Sequence, residues 1–319
     1  MVSKPLLAKT IPVLPTRQGS FRLFRLAGID VHLHWSWFLI AAYQVTSRDG
    51  GYTSPAWNAV EYLALFSIVL MHEFGHALAC RQVGGQAELI VLWPLGGVAY
   101  VNPPQRPGAT LWSIAAGPLV NVVLVGVLSA LLVLAKQPSS EAANPDWVLC
   151  LRAVWFINLA LLVFNLLPVY PLDGGQMLRS LLWFVLGRIR SLQVATVLGM
   201  VGAAGLLTAA VWTGSVWFGI MAAFLLLNGW RGFQSARGMA RLADLPRHRG
   251  FACPACHASP PQAELWICGR CQQRFDTFLS GAKCPQCGEL FPLTVCTSCG
   301  QPAPFSAWLI PPPKLPPGA

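Results

Sequence analysis

The sequence predicts an all-α polytopic membrane protein of about six transmembrane helices, with a small re-entrant β-hairpin and small cysteine-rich modules outside the membrane. Three observations predict this class. Of the 319 residues 55% are hydrophobic and only 11% are charged, long apolar runs recur between residues 35 and 230, and the charged residues collect between those runs. An ordinary soluble domain carries about a quarter charged residues, so most of this chain is predicted to lie in lipid.

Six apolar segments are candidates for membrane crossings, because a helix needs about 20 apolar residues to span a hydrocarbon core of ~30 Å. They cover residues 31–45, 57–80, 110–134, 147–167, 192–212 and 214–230. An additional short helix near residues 176–186 is an alternative that would change the number of helices. Residues 88–101 (ELIVLWPLGGVAYV) are too short to span and contain Pro94 and a Gly-Gly pair, which predicts a small hairpin or re-entrant loop.

The distribution of Lys and Arg predicts the orientation. If the amino terminus is inside, these residues fall in the N-terminal arm, two inner loops and the tail, whereas the outer loops hold little more than Arg48 and Lys136. Cytoplasmic loops are enriched in Lys and Arg. We therefore expect a multi-pass protein of the cell (inner or plasma) membrane with both termini cytosolic. The same bias accounts for the net charge of +10 without a nucleic-acid partner.

Shifts in composition divide the chain into five predicted parts. They are a basic cytosolic arm (1–28), a membrane domain (29–232), a basic linker (233–250), two cysteine modules (251–301) and a proline-rich disordered tail (302–319).

Residues 72–76 read His-Glu-Phe-Gly-His inside the second apolar segment. Positions i and i+4 of a helix share one face, so His72 and His76 can present two imidazoles to one zinc ion, with Glu73 beside the open coordination position. Ionisable side chains at membrane depth are costly and are usually kept for function. The motif predicts a catalytic zinc site with Glu73 as general base, against the alternative of a satisfied structural cluster.

A hydrolytic zinc site uses three protein ligands and one water, so a third ligand is required. Asp173 is the best candidate, because it lies in the proline- and glycine-rich segment 165–175 (NLLPVYPLDGG) that ends the fourth crossing. The second and fourth crossings run in the same direction in a six-crossing topology. This brings Asp173 to the same side of the membrane as His72 and His76. A helix cap or turn residue is the alternative for Asp173.

Three motifs in order resemble the site-2 protease family. They are HEFGHALA at residues 72–79, A-G-P-x-x-N at 116–121 and N-x-x-P-x-x-P-L-D-G-G at 165–175. The resemblance covers roughly residues 20–230 and implies a six-helix bacterial type of zinc metallopeptidase that cuts peptide bonds within or beside the membrane. It implies His72, His76 and Asp173 as ligands, Glu73 as base, and single-pass membrane proteins as substrates.

Two further features are candidates for substrate contact. Asn121 follows a Gly-Pro pair and can donate to the substrate carbonyl or oxyanion, with an interhelical hydrogen bond as the alternative. The 88–101 hairpin can clamp an unwound substrate by adding it as a strand, with a loop that only plugs the cavity as the alternative. His32 and His34 are predicted to be interfacial polar residues, and for Asn165 a structural role is favoured.

Eight of the ten cysteines form four C-x-x-C pairs after residue 252, which is typical of metal binding. They are Cys253, Cys256, Cys268, Cys271, Cys284, Cys287, Cys296 and Cys299. Two closed sites of four thiolates predict two structural zinc ions, in addition to the catalytic one, in modules that resemble a double zinc ribbon and need metal to fold. Ligation within consecutive sets of four is expected, with a cross-braced arrangement as the alternative. We expect a cytosolic protein partner or a gating role for them, and not nucleic acid.

Two other classes of function compete with proteolysis. In a membrane scaffold the metal site would be structural and the ribbons would recruit partners, but such a site has no use for Glu73. In a transporter the His and Asp side chains would form an ion path, but the sequence has no apparent internal repeat of the transporter kind.

Overall fold

The computed structural model describes residues 2–5, 19–47, 51–93, 96–135 and 145–310. They fall into two compact units. The membrane unit comprises Val13–Gln234, and the cysteine unit comprises Met1–Pro12 with Ser235–Ala319. In chain order the elements are β1 Val2–Pro5, β2 Ser20–Leu26, β3 Ile29–His34, α1 Trp37–Ser47, α2 Ala56–Gln82, β4 Gln86–Trp93, β5 Gly96–Asn102, α3 Pro107–Ala135, α4 Asp146–Leu166, α5 Asp173–Thr213, α6 Val216–Ala243, β6 Trp266–Ile267, β7 Arg274–Phe275, β8 Leu293–Val295 and β9 Pro302–Pro304.

Five helices in the described ranges, α2 to α6, are long and apolar enough to cross a membrane. This confirms a multi-pass membrane protein. The predicted first crossing differs from the structure. Its beginning is strand β3, and the helix that follows, α1, has only 11 residues. With a rise of ~1.5 Å per residue, α1 covers about half of a ~30 Å hydrocarbon core.

Helix α5 contains a break at Gly187, whose φ of 74° and ψ of 172° are not helical. Glycine tolerates positive φ because it has no Cβ atom. The break separates a first stretch, residues 173–186, from the long apolar stretch that follows. The first stretch corresponds to the alternative short helix that the sequence suggested near residues 176–186.

The membrane unit also contains a four-stranded sheet in the order β2-β3-β4-β5. Strands β3 and β4 are parallel, and the other two pairs are antiparallel. The predicted hairpin is confirmed as β4 and β5, whereas the two strands that extend the sheet were not predicted. Alternate residues of β3, namely Ile29, Val31 and Leu33, are buried, and they join a core to which α2 also contributes.

Helices α2 and α3 approach each other closely through small residues. A Cβ atom added to Gly75 of α2 would lie 2.7 Å from the backbone oxygen of Ala116 in α3. Small residues allow the backbones of membrane helices to approach in this way. The contact brings α3 directly against the helix face that carries the His-Glu-Phe-Gly-His motif.

The cysteine unit is built on a five-stranded sheet in the order β7-β6-β1-β8-β9. The N-terminal strand β1 lies between β6, to which it is antiparallel, and β8, to which it is parallel. The predicted disordered tail is wrong for its first part, because β9 and a 3-10 helix over Phe305–Trp308 are ordered. The indole of Trp308 is only 1% exposed in the core, which holds this segment in place. Residues 311–319 lie outside the described residues.

Candidate metal centre

Three predicted ligands converge between α2 and the start of α5. His72 and His76 lie one turn apart on α2, and Asp173 is the first residue of α5. The Nε2 atoms of the two histidines are 3.0 Å apart, and Oδ2 of Asp173 lies 3.0 Å from Nε2 of His72 and 3.4 Å from Nε2 of His76. Both histidines are buried.

Asp173 reaches this position because a tight turn follows α4. Cβ atoms added to Gly174 and Gly175 would lie 2.3 Å from the backbone oxygen of Leu166 and 2.3 Å from the backbone nitrogen of Tyr170. Only glycine fits such close backbone contacts. The two glycines therefore let α5 begin directly beside the end of α4.

Hydrogen bonds fix the tautomer of His76. Its Nδ1 atom lies 2.9 Å from the backbone oxygen of Ser113, which can only accept. The ring therefore carries its proton on Nδ1, and the lone pair of Nε2 points towards Asp173.

A chain of amide contacts fixes the tautomer of His72. The side-chain amide nitrogen of Asn158 donates to the backbone oxygen of Asn121, so its Oδ1 accepts from Nδ2 of Asn121 at 2.8 Å. Oδ1 of Asn121 then faces Nδ1 of His72 at 2.6 Å. His72 therefore also carries its proton on Nδ1 and presents a lone pair at Nε2.

The three converging groups fit a zinc ion. Two imidazole lone pairs and a carboxylate oxygen repel one another unless a cation lies between them. Ligands that bind zinc tetrahedrally at ~2.0–2.1 Å lie about 3.3 Å apart, close to the separations observed here. Oδ2 of Asp173 is also shielded from solvent, without a hydrogen-bond donor in the described residues. The donor set of two nitrogens and one oxygen is typical of a catalytic zinc site with an open position.

Glu73, the neighbour of His72, is buried and contacts strand β5. Its Oε2 atom accepts a hydrogen bond of 2.7 Å from the backbone nitrogen of Ala99. A Cβ atom added to Gly97 would lie 2.4 Å from the Cγ atom of Glu73, so this glycine gives the carboxylate its space. The hairpin therefore helps to orient Glu73.

Helix α3 lies equally close to the histidines. A Cβ atom added to Gly117 would lie 2.3 Å from Nε2 of His76 and 2.9 Å from Nε2 of His72. Gly117 thus forms one wall of the site.

The structure does not support the predicted substrate contact of Asn121. The residue is 1% exposed, and both polar atoms of its side chain are engaged, Oδ1 with His72 and Nδ2 with Asn158. Asn121 instead makes the interhelical hydrogen bonds that were the alternative. Sequence reasoning missed Asn158, although an amide inside an apolar helix is a signal for such a role. His32 and His34 lie on β3, away from the three converging ligands.

The cysteines form two groups, but their pairing differs from the expected one. The outer group consists of Cys253, Cys256, Cys296 and Cys299. The inner group consists of Cys268, Cys271, Cys284 and Cys287, all of which lie between Cys256 and Cys296 in the sequence. Backbone hydrogen bonds from Ala252 to Trp308 and from Ile310 to Gly250 join the segment before the first knuckle to the segment after the last. This pairing of distant segments determines which knuckles meet.

Both cysteine groups fit tetrahedral zinc. Sulfur contacts are 3.7 and 3.8 Å in the outer group and 3.6 and 3.6 Å in the inner group. Four sulfurs that bind zinc at ~2.3 Å lie about 3.8 Å apart. Burial raises the pKa of the Cys268 thiol, but hydrogen bonds from the backbone nitrogens of Cys271 and Arg270 outweigh this effect, and the pKa falls to about 7. For Cys268 this favours the thiolate, the form in which cysteine binds a metal.

Comparisons with known proteins match the part of the chain that contains His72, His76 and Asp173. The model of Peptidase family M50 matches residues 60–140 and 128–209. A zinc metalloprotease of Methanocaldococcus jannaschii is 33% identical over 182 residues, which are 56% of this chain and 50% of that protein. The stage IV sporulation protein FB of Bacillus subtilis is 30% identical over 156 residues, 47% of this chain and 46% of its own length. This chain thus spans about half the length of these curated relatives.

A solved structure is also similar. The site-2 protease from Methanocaldococcus jannaschii superposes with a TM-score of 0.51 at 27% sequence identity, covering 67% of this chain and 95% of that one. Residues 60–209 of this chain therefore match peptidase family M50, and its membrane region resembles a site-2 protease in fold and sequence.

Proposed function

We propose that this protein is an intramembrane zinc metalloprotease that hydrolyses peptide bonds within or near the transmembrane segment of membrane-protein substrates. One observation carries the proposal. His72 and His76 of the apolar helix α2 converge with Asp173, the first residue of α5, and Glu73 lies beside them. Its relative in Methanocaldococcus jannaschii is named a zinc metalloprotease, and the similar solved structure is a site-2 protease.

His72, His76 and Asp173 would hold the catalytic zinc ion. When bound, zinc polarises a peptide carbonyl and makes a water molecule a nucleophile at neutral pH. The protein contributes ligand geometry, because Asn121 and the backbone of Ser113 hold both imidazoles with Nε2 facing inwards. Outer contacts of this kind orient metal ligands and raise their basicity.

Glu73 is proposed as the general base. Its carboxylate takes a proton from the attacking water and later delivers it to the amine of the departing peptide. The hydrogen bond from Ala99 holds Oε2 of Glu73, which leaves the other carboxylate oxygen for the proton transfer. The proposed base is thereby held by the hairpin as well as by its own helix.

A peptide bond in a membrane helix is shielded by the helix's own hydrogen bonds, so a substrate must unwind before it is cut. We propose that the outer edge of β5 receives the unwound segment as an added strand. Strand β5 is an edge strand of its sheet, and its residue Ala99 contacts Glu73 directly. Strand addition would therefore bring the scissile bond next to the base.

We further propose three zinc ions per chain, one catalytic and two structural in the cysteine groups, with both termini in the cytosol. The proposed partners are a single-pass membrane-protein substrate and a cytosolic protein that binds the cysteine unit. The proposed role of the cysteine unit is to regulate cleavage.

Glu73→Gln is the test of the mechanism. Loss of the base is expected to lower cleavage of a single-pass model substrate by about 10²- to 10⁴-fold, because general-base catalysis contributes this much. The zinc content, measured by elemental analysis, should stay at the wild-type value. Cleavage at the wild-type rate by this variant would contradict the assignment of Glu73, and wild-type protein that binds zinc but cuts no membrane substrate would contradict the protease.

Removal of residues 250–319 tests the role of the cysteine unit. We expect a changed cleavage rate or a changed choice among several single-pass substrates, while the zinc at His72, His76 and Asp173 is retained. Identical rates and identical substrate choice would exclude regulation by this unit.

A further inference from the structure

The segment that leads to Asp173 is confined by both stretches of α5. Tyr170 lies in this segment, between the end of α4 and the start of α5. A Cβ atom added to Gly175, in the first stretch, would lie 2.3 Å from the backbone nitrogen of Tyr170. A Cβ atom added to Gly199, in the stretch after the break, would lie 2.8 Å from the same nitrogen and 2.7 Å from the backbone oxygen. The backbone of Tyr170 therefore has little room to move.

Helix α6 contacts the ring of the same tyrosine. A Cβ atom added to Gly232 of α6 would lie 2.7 Å from Cε1 of Tyr170 and 2.8 Å from Cγ2 of Thr196 in α5. Carbon atoms in favourable contact are about 3.5–4.0 Å apart, so any side chain at position 232 must displace one of these groups. Helix α6 supplies none of the three converging ligands, yet it packs on the segment that leads to one of them.

Hydrogen bonds connect the Tyr170 segment to the first turn of α5. The side-chain nitrogen of Gln176 donates to the backbone oxygen of Pro171 at 3.0 Å, and its backbone nitrogen donates to the backbone oxygen of Leu172 at 3.0 Å. Both acceptors lie between Tyr170 and Asp173 in the sequence. A displacement of Tyr170 is therefore passed on to Asp173, because the residues between them are fixed to the same helix.

We propose that Tyr170 is a positioning residue for Asp173, and that Gly232 of α6 keeps the tyrosine ring in its place. The inference rests on the proposed zinc site, in which Asp173 is a ligand. Groups that orient metal ligands change metal affinity by about 10- to 100-fold when they are altered. The zinc affinity of the site thus depends on a helix that contributes no ligand.

The test uses the full-length protein and measures zinc affinity. Elemental analysis counts the zinc ions retained per chain at increasing concentrations of a chelator. The His72→Ala variant gives the curve of the cysteine groups alone, so the difference from the wild-type curve belongs to the proposed catalytic site. We expect Gly232→Ala to weaken this site roughly tenfold, because its methyl group displaces the ring of Tyr170. The ions in the cysteine groups and the helix content, measured by circular dichroism, should be retained.

Gly219→Ala is the matched control on α6, because a Cβ atom there meets no atom within 4 Å. Its zinc affinity should equal that of the wild type. Tyr170→Phe keeps the ring and should also bind zinc as tightly as the wild type, whereas Tyr170→Ala should bind roughly tenfold more weakly.

A double variant tests whether the effect of Gly232 passes through the tyrosine. In a chain with Tyr170→Ala, the further change Gly232→Ala should cost no more zinc affinity, because the two substitutions disturb one contact. Additive losses would overturn the proposal. Full recovery of the Gly232→Ala loss by Thr196→Ser would also overturn it, because that change removes only the methyl group of α5 that α6 contacts.

Failure of this inference can be told apart from failure of the proposed zinc site. If His72→Ala held as many zinc ions as the wild type, the zinc site itself would be refuted. If His72→Ala lost one ion while Gly232→Ala bound zinc as tightly as the wild type, only the positioning role would be refuted. Should Gly232→Ala fail to fold, the two single variants of Tyr170 decide, and equal zinc affinities for them would overturn the proposal.

Discussion

Single residues in α3 and α4 decide how the two histidines face each other. Asn158 orients Asn121, and Asn121 in turn accepts from Nδ1 of His72. An amide pair of this kind leaves no freedom in the tautomer, because one of its hydrogen bonds ends on a backbone oxygen that can only accept. The lone pair that the proposed zinc site needs is therefore set before any metal binds.

Gly117→Ala tests how tightly α3 encloses the histidines. The added methyl group would lie 2.3 Å from Nε2 of His76, so an imidazole must move and the ligand geometry is lost. We expect at least about a tenfold loss of affinity at the catalytic zinc site, the size of effect that misplaced ligands produce. Isothermal titration with zinc, after removal of metal from a chain without residues 250–319, measures it.

Gly126→Ala is the control on the same helix, because a Cβ atom there meets no atom within 4 Å. Its zinc affinity should equal that of the unsubstituted chain. Equal affinities for both alanine variants would mean that α3 does not constrain the site.

Among the elements, the β4–β5 hairpin links the sheet to the proposed base. Ala99 is paired in register with Ile90, yet its N–H group points to Glu73. Alternate residues of an edge strand direct their backbone groups away from the neighbouring strand. The hydrogen bond to Glu73 therefore uses a donor that the sheet itself does not need.

Ala99→Pro removes this donor while it leaves the hydrogen bonds between β4 and β5 in place, because proline is tolerated where an edge strand's N–H faces away from the sheet. We expect kcat to fall roughly 10- to 100-fold through misplacement of Glu73, with zinc content nearly unchanged. Steady-state kinetics on a model substrate give kcat, and they give KM as a separate measure of substrate binding at the same edge.

Ala99→Gly keeps the N–H group and is the matched control, for which near wild-type kinetics are expected. If the proline variant cut as fast as the glycine variant, the hydrogen bond from Ala99 would have no role in positioning Glu73.

In the molecule as a whole, segments far apart in sequence meet within each unit. The cysteine unit joins strand β1, near the amino terminus, to strands more than 260 residues later. Its outer metal group likewise joins Cys253 to Cys299 around the complete inner group. In small folds of this kind, the free energy of metal binding at closed four-thiolate sites contributes directly to the free energy of folding.

Pairs of cysteine substitutions test this nested arrangement. Cys253 and Cys296 belong to one group, so replacing both with alanine should remove one zinc ion per chain. Replacing Cys253 and Cys268 should remove two, because the two residues belong to different groups. Elemental analysis of the purified variants counts the ions. A loss of two ions in the first variant and one in the second would instead support ligation by consecutive sets of four.

The sequence by itself determined the features that depend on local pattern. Apolar runs predicted a multi-pass membrane protein, and Pro94 with the Gly-Gly pair predicted the hairpin. The spacing of His72 and His76 placed two imidazoles on one helix face, with Glu73 beside them. Only the tertiary structure decided the features that depend on which distant segments meet. These are the replacement of the first crossing by strand β3, the contact of Asn121 with His72, the contact of Ala99 with Glu73 and the nested pairing of the cysteines. Equal C-x-x-C knuckles fit either pairing, and a short apolar segment fits a helix or a strand, so packing against the rest of the chain makes the choice.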